Sequence, residues 1–159
     1  MIPVGLGDLE IVRSGGSTLV AYGLGSCIGV TAFDPVLGAG GMTHVVLPDS
    51  SLGRGDDKPG KYADLAVPRL IRGLIELGGK KSRLILKIAG GAQMLGMAGL
   101  SGKLDIGGRN AEAVRQAVER EGLALAAEET GGNFGRTMHL YLPSGRVTVA
   151  SVGRGEKDL

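Results

Sequence analysis

The chain has 159 residues, 43% hydrophobic and 21% charged, with 18 basic side chains against 16 acidic ones. That length and apolar content suit a single domain with its own core and exclude wholesale disorder. Near-balanced charge with three Tyr, two Phe and no Trp excludes the basic, aromatic-interleaved footprint of a nucleic-acid binder, and no apolar run approaches the roughly 20 residues that cross a bilayer.

No signal-peptide pattern opens the chain, and its single cysteine, Cys27, cannot pair internally, which points to the reducing cytoplasm. Glycine is abundant at 30 residues, well above the roughly 7% of an average protein. Several fall in adjacent pairs, among them Gly40-Gly41, Gly90-Gly91, Gly107-Gly108 and Gly131-Gly132. Such pairs mark tight turns and places where backbones approach closely.

In chain order, residues 17–22, 28–33 and 42–47 read as short strands, rich in β-branched residues and bounded by Gly, Asp or Pro. Asp34-Pro35 turns the chain after the second, because the residue before proline is held out of the helical region. Residues 49–61 are polar and glycine-rich, hence a surface loop. Residues 63–77 are helical: Val67, Leu70, Ile71, Leu74 and Ile75 share one face and Arg69, Arg72 and Glu76 the other. Pro68 requires that this helix begin close by, with Asp64 at or near its N-cap. Residues 83–89 read as a strand, with Leu84, Leu86 and Ile88 alternating against Ile85 and Lys87.

A second helix is expected over 111–121, capped by Asn110, with Glu112 in its first turn, Gly122 past its end, and an apolar face of Val114, Ala117 and Val118. Strands at 123–128, 137–142 and 146–152 follow, the last two joined as a hairpin by Pro143-Ser144-Gly145. The pattern is α+β, a single domain with two main helices covering one face of a mixed or mostly antiparallel sheet.

Few residues can drive chemistry. Cys27 sits in Gly23-Leu24-Gly25-Ser26-Cys27-Ile28-Gly29, a glycine-rich turn between two strands. Its small neighbours would leave the sulfur accessible and backbone N–H groups of Gly25 and Ser26 free to face an oxyanion. A buried small hydrophobe is the commoner fate of a free cysteine. A nucleophilic thiol needs a base within hydrogen-bond reach. His44, 17 residues on in a strand-like run, can return beside Cys27 after one strand and one turn. His139 shares a face with Tyr141, opposite Leu140 and Leu142, and is expected to face solvent. One cysteine and two histidines do not make a zinc site, and the glycine spacing fits neither nucleotide-binding fingerprint.

At these residues the sequence resembles the CheD family of chemoreceptor glutamine deamidases. Gly23-Leu24-Gly25-Ser26-Cys27 resembles the family's nucleophile turn and Thr43-His44-Val45-Val46-Leu47-Pro48-Asp49-Ser50 its histidine segment. The segments at Asp57 to Asp64, Lys87 to Ala92, Ile106 to Asn110 and Thr130 to Asn133 fit the family pattern in the same order. The resemblance implies an α/β sandwich related to bacterial toxin deamidases. It also implies hydrolysis of chemoreceptor glutamine side chains to glutamate through a thioester on Cys27, with His44 as base and no metal or cofactor.

The same resemblance implies two partners, the cytoplasmic part of methyl-accepting chemotaxis receptors and a CheC-type phosphatase. A mainly regulatory binding role is the alternative. One position departs from the pattern. The family's threonine six residues before the cysteine is Ala21 here, so His44 must be oriented by a backbone carbonyl or by a hydroxyl such as that of Thr43, Ser26 or Tyr22. On that reading Ala21→Thr keeps or raises activity and His44→Ala abolishes it.

Overall fold

The structure is a computed structural model that describes residues 1–13, 15–53, 58–94 and 105–159. Its strands are β1 (Ile2–Pro3), β2 (Leu9–Val12), β3 (Thr18–Leu24), β4 (Ile28–Asp34), β5 (Ala39–Val45), β6 (Ile85–Gly90), β7 (Leu125–Thr130), β8 (Arg136–Tyr141), β9 (Arg146–Ser151) and β10 (Gly155–Asp158). Its helices are α1 (Ala63–Glu76) and α2 (Ile106–Arg120). The strands form two five-stranded sheets, ordered β1-β3-β8-β9-β10 and β2-β5-β4-β6-β7. Each is mixed, with one parallel pair (β1 with β3, β6 with β7) among antiparallel neighbours. The fold class is the expected α+β, but two sheets stand where one was expected.

Three layers follow from how the central strand is patterned. Every residue of β4 is buried, so both faces must be covered. Ile28, Val30 and Ala32 face the helices, packing with Val67, Leu70, Leu74, Val114 and Val118. Phe33 faces the other way, in a second core with Leu19, Met42, Met138, Leu140 and Val149 between the two sheets. Alternation in β8, with Met138 and Leu140 inward and His139 and Tyr141 outward, builds the far wall.

Several boundaries differ from expectation for identifiable reasons. Gly40 and Gly41 lie inside β5 rather than in a turn, because a Cβ at either would meet Leu140 and Leu142 on one side or Leu70 and Glu10 on the other. α2 begins five residues earlier than expected. Asp105 is its N-cap and accepts the Gly108 N–H at 2.9 Å, so Asn110 lies within the helix. α1 has Tyr62 at its N-cap, and Asp64, in the first turn, instead accepts the Ser50 N–H and hydroxyl at 2.9 and 2.6 Å. That contact fixes a short 3-10 turn over Ser50–Leu52 in the expected surface loop; Asp57 lies outside the described residues. Pro68 is accommodated inside α1, and Ile75, expected on its apolar face, is 40% exposed. β1, β2 and β10 have no counterpart in the expected elements. Among the described residues no helix is long and apolar enough to cross a membrane.

Candidate active site

The chain passes from one sheet to the other between β3 and β4, and Cys27 lies on that crossing, just before β4 begins. A register irregularity between Ala21 and Leu24 bends β3 out of its sheet at this point. The β4–β5 hairpin brings His44 opposite Gly29. His44 has the same strand parity as Met42, which packs with Cys27 in the core between the sheets. Thiol and imidazole therefore occupy one end of the same inter-sheet face.

All three carbonyls of the turn are tied down. Gly25 O accepts the Ala92 N–H at 2.8 Å, Ser26 O accepts Asn110 Nδ2 at 2.9 Å, and Cys27 O accepts the Gly91 N–H at 2.9 Å. Close approach here depends on glycine. Gly90 and Gly91 have φ of 115° and 70°, and a Cβ at Gly90 would collide with the Cys27 carbonyl oxygen. With the carbonyls held on the 90–92 and α2 side, no described acceptor takes the N–H groups of Gly25, Ser26 or Cys27.

Cys27 is less accessible than its small neighbours suggest. It is 9% exposed and packs with Leu24, Ala89 and Met138, because glycine at 90 and 91 lets the next segment close onto the turn. Met94 lies over Gly25. Burial pushes the Cys27 thiol above its usual pKa. The resting side chain is a protonated thiol.

His44 is 2% exposed and held on three sides by the N-terminal segment. Its Nδ1 lies 2.9 Å from Val4 O. Its backbone N–H donates to Asp8 O at 3.0 Å and its carbonyl accepts the Gly7 N–H at 2.9 Å. Val4 is itself placed by its N–H bond to Val20 O at 2.8 Å, which extends the β1–β3 pairing.

A carbonyl can only accept, so Nδ1 carries the proton and Nε2 carries the lone pair. Nε2 is buried with no hydrogen-bond partner among the described residues. Burial lowers the imidazole pKa, which the Val4 hydrogen bond and the nearby Asp8 charge only partly offset. Asp8 is kept ionised by its contact with Lys58 at 3.0 Å. Burial thus favours the neutral form of both thiol and imidazole, and the Nε2 lone pair is unused among the described residues.

The residues considered for orienting His44 lie elsewhere. Thr43, the neighbour of His44 on the strand, points to the opposite face, its hydroxyl donating to Asp8 O at 3.1 Å with Gly60 O, at 3.4 Å, as the alternative acceptor. Tyr22 is 56% exposed, its hydroxyl on Met1 Sδ. Ser26 contributes its carbonyl to Asn110. Among the described residues the contact to the ring is the Val4 backbone carbonyl. His139 is on the outer face of its sheet, stacked on Tyr141 with centroids 5.8 Å apart.

Sequence reasoning missed Val4 and Asp8, which act through backbone atoms, and read Asn110 as a cap when it is a bridge. The alternation of Ile2 and Val4 before Gly5, and of Leu9 and Ile11 around Glu10, was the available signal for the N-terminal strands.

Comparison with known proteins bears on this arrangement. The family model described as CheD chemotactic sensory transduction matches residues 46–151, a span that includes Gly90, Gly91 and Asn110 and begins just after His44. A probable chemoreceptor glutamine deamidase CheD of Symbiobacterium thermophilum is 53% identical over 157 residues, covering 98% of this chain and 95% of its own. A probable chemoreceptor glutamine deamidase CheD of Desulforamulus reducens is 45% identical, covering 96% and 91%. The chemoreceptor glutamine deamidase CheD of Thermotoga maritima is 44% identical, covering 97% and 94%. With the model matching most of the chain and these relatives nearly all of it, the chain belongs to the CheD family.

Proposed function

We propose that this chain, as one deamidase domain over residues 1–159, is a cysteine-dependent protein-glutamine glutaminase. Its substrates are glutamine side chains on the cytoplasmic part of methyl-accepting chemotaxis receptors. The observation that carries this reading is the His44 ring, with Nδ1 fixed on Val4 O and Nε2 unpaired on the face it shares with Cys27. A base held in one tautomer beside a thiol is the arrangement acyl transfer needs.

Because thiol and imidazole are both neutral at rest, the Cys27 proton moves to Nε2 as the sulfur attacks the carboxamide carbon. The oxyanion that forms is held by N–H groups of the turn at Gly25, Ser26 and Cys27. The imidazolium then gives its proton to the departing nitrogen, ammonia leaves, and a γ-glutamyl thioester remains. Water, deprotonated by Nε2, hydrolyses it to glutamate and returns the thiol. No step calls on a metal or cofactor, and the reaction belongs to the cytoplasm, where the receptor substrate faces.

The test is incubation with a chemoreceptor cytoplasmic fragment, following ammonia release and the mass change of amide to acid at each glutamine. Release of both by the native chain and by neither Cys27→Ala nor His44→Ala is the expected result. Activity that survives Cys27→Ala overturns the mechanism.

A second reading draws on the raised, buried thiol: the chain acts mainly as a binding partner of chemoreceptors and of a CheC-type phosphatase, with little catalysis. Iodoacetamide decides between the two. Alkylation of Cys27 that depends on His44 near neutral pH supports catalysis. Alkylation with the same pH dependence whether or not His44 is present supports the binding role.

A further inference from the structure

Asn110 is wholly buried in the second turn of α2. Its side-chain nitrogen donates one hydrogen to Ser26 O and the other to Val46 O, both at 2.9 Å. Ser26 immediately precedes Cys27, and Val46 lies two residues beyond His44. Val46 is also held from behind, its N–H donating to Lys61 O at 2.9 Å, and Gly107, one turn earlier in α2, packs directly on Gly91 and Ala92. The first turns of α2 therefore press on the backbone that fixes the Cys27 turn, while Asn110 reaches across to the end of the histidine strand.

We propose that Asn110 is a positioning residue that sets the separation of the Cys27 sulfur and the His44 imidazole by bridging the backbones that carry them. This rests on the deamidase reading only for its consequence in turnover; the spacing itself is a property of the free protein. The chemistry of the residue fits the task. A carboxamide nitrogen is the smallest neutral group with two divergent donors in one plane, so one side chain can hold two carbonyls at a fixed angle. Its Oδ1 is buried without a partner among the described residues. An apolar side chain would fill the same space without leaving that oxygen unpaired, so packing alone does not account for an amide here.

The test is a cycle of four proteins: the native chain, Asn110→Ala, His44→Ala and the double variant, with the rate of Cys27 alkylation by iodoacetamide measured across pH. If Asn110 acts by holding the base to the thiol, its removal changes the rate profile when His44 is present and leaves it unchanged when His44 is absent. An equal change in both backgrounds overturns the proposal. Turnover on a receptor fragment gives the second readout: kcat falls about 10- to 100-fold with KM within about twofold, the signature of lost alignment rather than lost binding.

Val114→Ala, one turn further along α2 in the helix-side core, controls for stability and should leave kcat of the folded protein unchanged. A matching drop in kcat there makes the Asn110 effect merely structural and overturns the proposal. If Asn110→Ala does not fold, Asn110→Ser replaces it in the cycle. Its single hydroxyl donor can serve only one carbonyl, so the same His44-dependent change is expected at smaller size, and its absence overturns the proposal. A native chain that shows the His44-dependent alkylation cycle but no deamidation sinks the proposed function and leaves the positioning role standing.

Discussion

The two ends of the β4–β5 hairpin each carry a buried polar group, Asp34 on β4 and His44 on β5, and they are built in opposite ways. At the far end Asp34 is fully buried, yet its carboxylate accepts N–H groups from Val36, Leu37 and Lys80 and a two-nitrogen contact from Arg83 at 2.8–3.0 Å. At the near end His44 is almost as buried, but its ring has one hydrogen-bond partner, the Val4 backbone carbonyl, and its Nε2 has none among the described residues. A buried polar atom left unpaired is costly in a structure that could satisfy it. Asp34 shows that this hairpin can satisfy such a group completely. The unpaired Nε2, on the face His44 shares with Cys27, fits the base of the proposed mechanism, while Asp34 reads as architecture.

That contrast is broken most directly at the histidine. His44→Asn retains an N–H that can reach Val4 O but has no basic lone pair. It is expected to fold with an unchanged unfolding midpoint and to lose deamidation by about 10²- to 10⁴-fold, the usual contribution of a general base. Activity within a few-fold of the native chain would mean that Nε2 is not the base.

Asp34→Ala should do the reverse. It strands three backbone N–H donors and the Arg83 guanidinium. The expected loss is on the order of 3 kcal/mol, the low end for a broken buried pair, because the Arg83 side chain is about a quarter exposed and keeps some hydration. Urea unfolding measures the loss, and turnover per folded molecule should not change. A fall in turnover at full folding would couple the two ends of the hairpin.

The same two groups give pH signatures that differ in position. Burial raises the Asp34 pKa, but Arg83 and the backbone donors outweigh it and hold the carboxyl well below the usual range. Its stabilisation is therefore complete above the unfolded value of about 3.9 and is lost as pH falls toward the folded one. For His44 the folded pKa is also depressed, so the unfolded chain takes up a proton first. Stability should decline as pH drops below about 6.5 and level off once the folded imidazole protonates. Stability curves of the native chain, His44→Asn and Asp34→Asn separate the steps. The first variant removes the decline near neutral pH and the second flattens the acid limb. A native curve flat between pH 7 and 5 would contradict the buried neutral imidazole.

What the sequence made legible was whatever rests on side-chain periodicity. The β-branched run at 28–33, bounded by Gly and Asp-Pro, and the helical spacing of Val67, Leu70, Ile71 and Leu74 place β4 and α1 within a residue or two, and with them the hairpin that sets His44 opposite Gly29. Two kinds of information were hidden. β1 and β2 have two and four residues, so their alternation is brief and easily passed over, and the contribution of this segment to the site is made by the carbonyls of Val4 and Asp8, just outside them, which every residue type possesses. Glycine misled in the other direction. Gly107 and Gly108 look like a helix breaker before Asn110, yet they lie in the first turn of α2, where Gly107 has no room for a Cβ against Gly91 and Ala92. The propensity cost of roughly 1 kcal/mol per glycine is offset by the contact that seats the helix on the Cys27 turn.

The smallest expected effect concerns Ala21, where the sequence departs from the family pattern. Before the N-terminal segment is considered, adding a hydroxyl with Ala21→Thr should help by holding the ring. The Val4 carbonyl already occupies Nδ1 at 2.9 Å, and the imidazole has only one proton there to donate. A new hydroxyl would have to displace that bond rather than supply a missing one. Ala21 is also fully buried among Leu19, Leu24 and Met138, so the added methyl and hydroxyl must be fitted into a filled core at a cost of about 1–3 kcal/mol. Ala21→Thr is therefore expected to lower the unfolding midpoint while changing kcat less than about twofold, since ring orientation is unaltered. A severalfold rise in kcat would show that the Val4 carbonyl holds the ring too loosely to fix its tautomer. A severalfold fall in a folded protein would show that threonine pulls the ring away from the carbonyl.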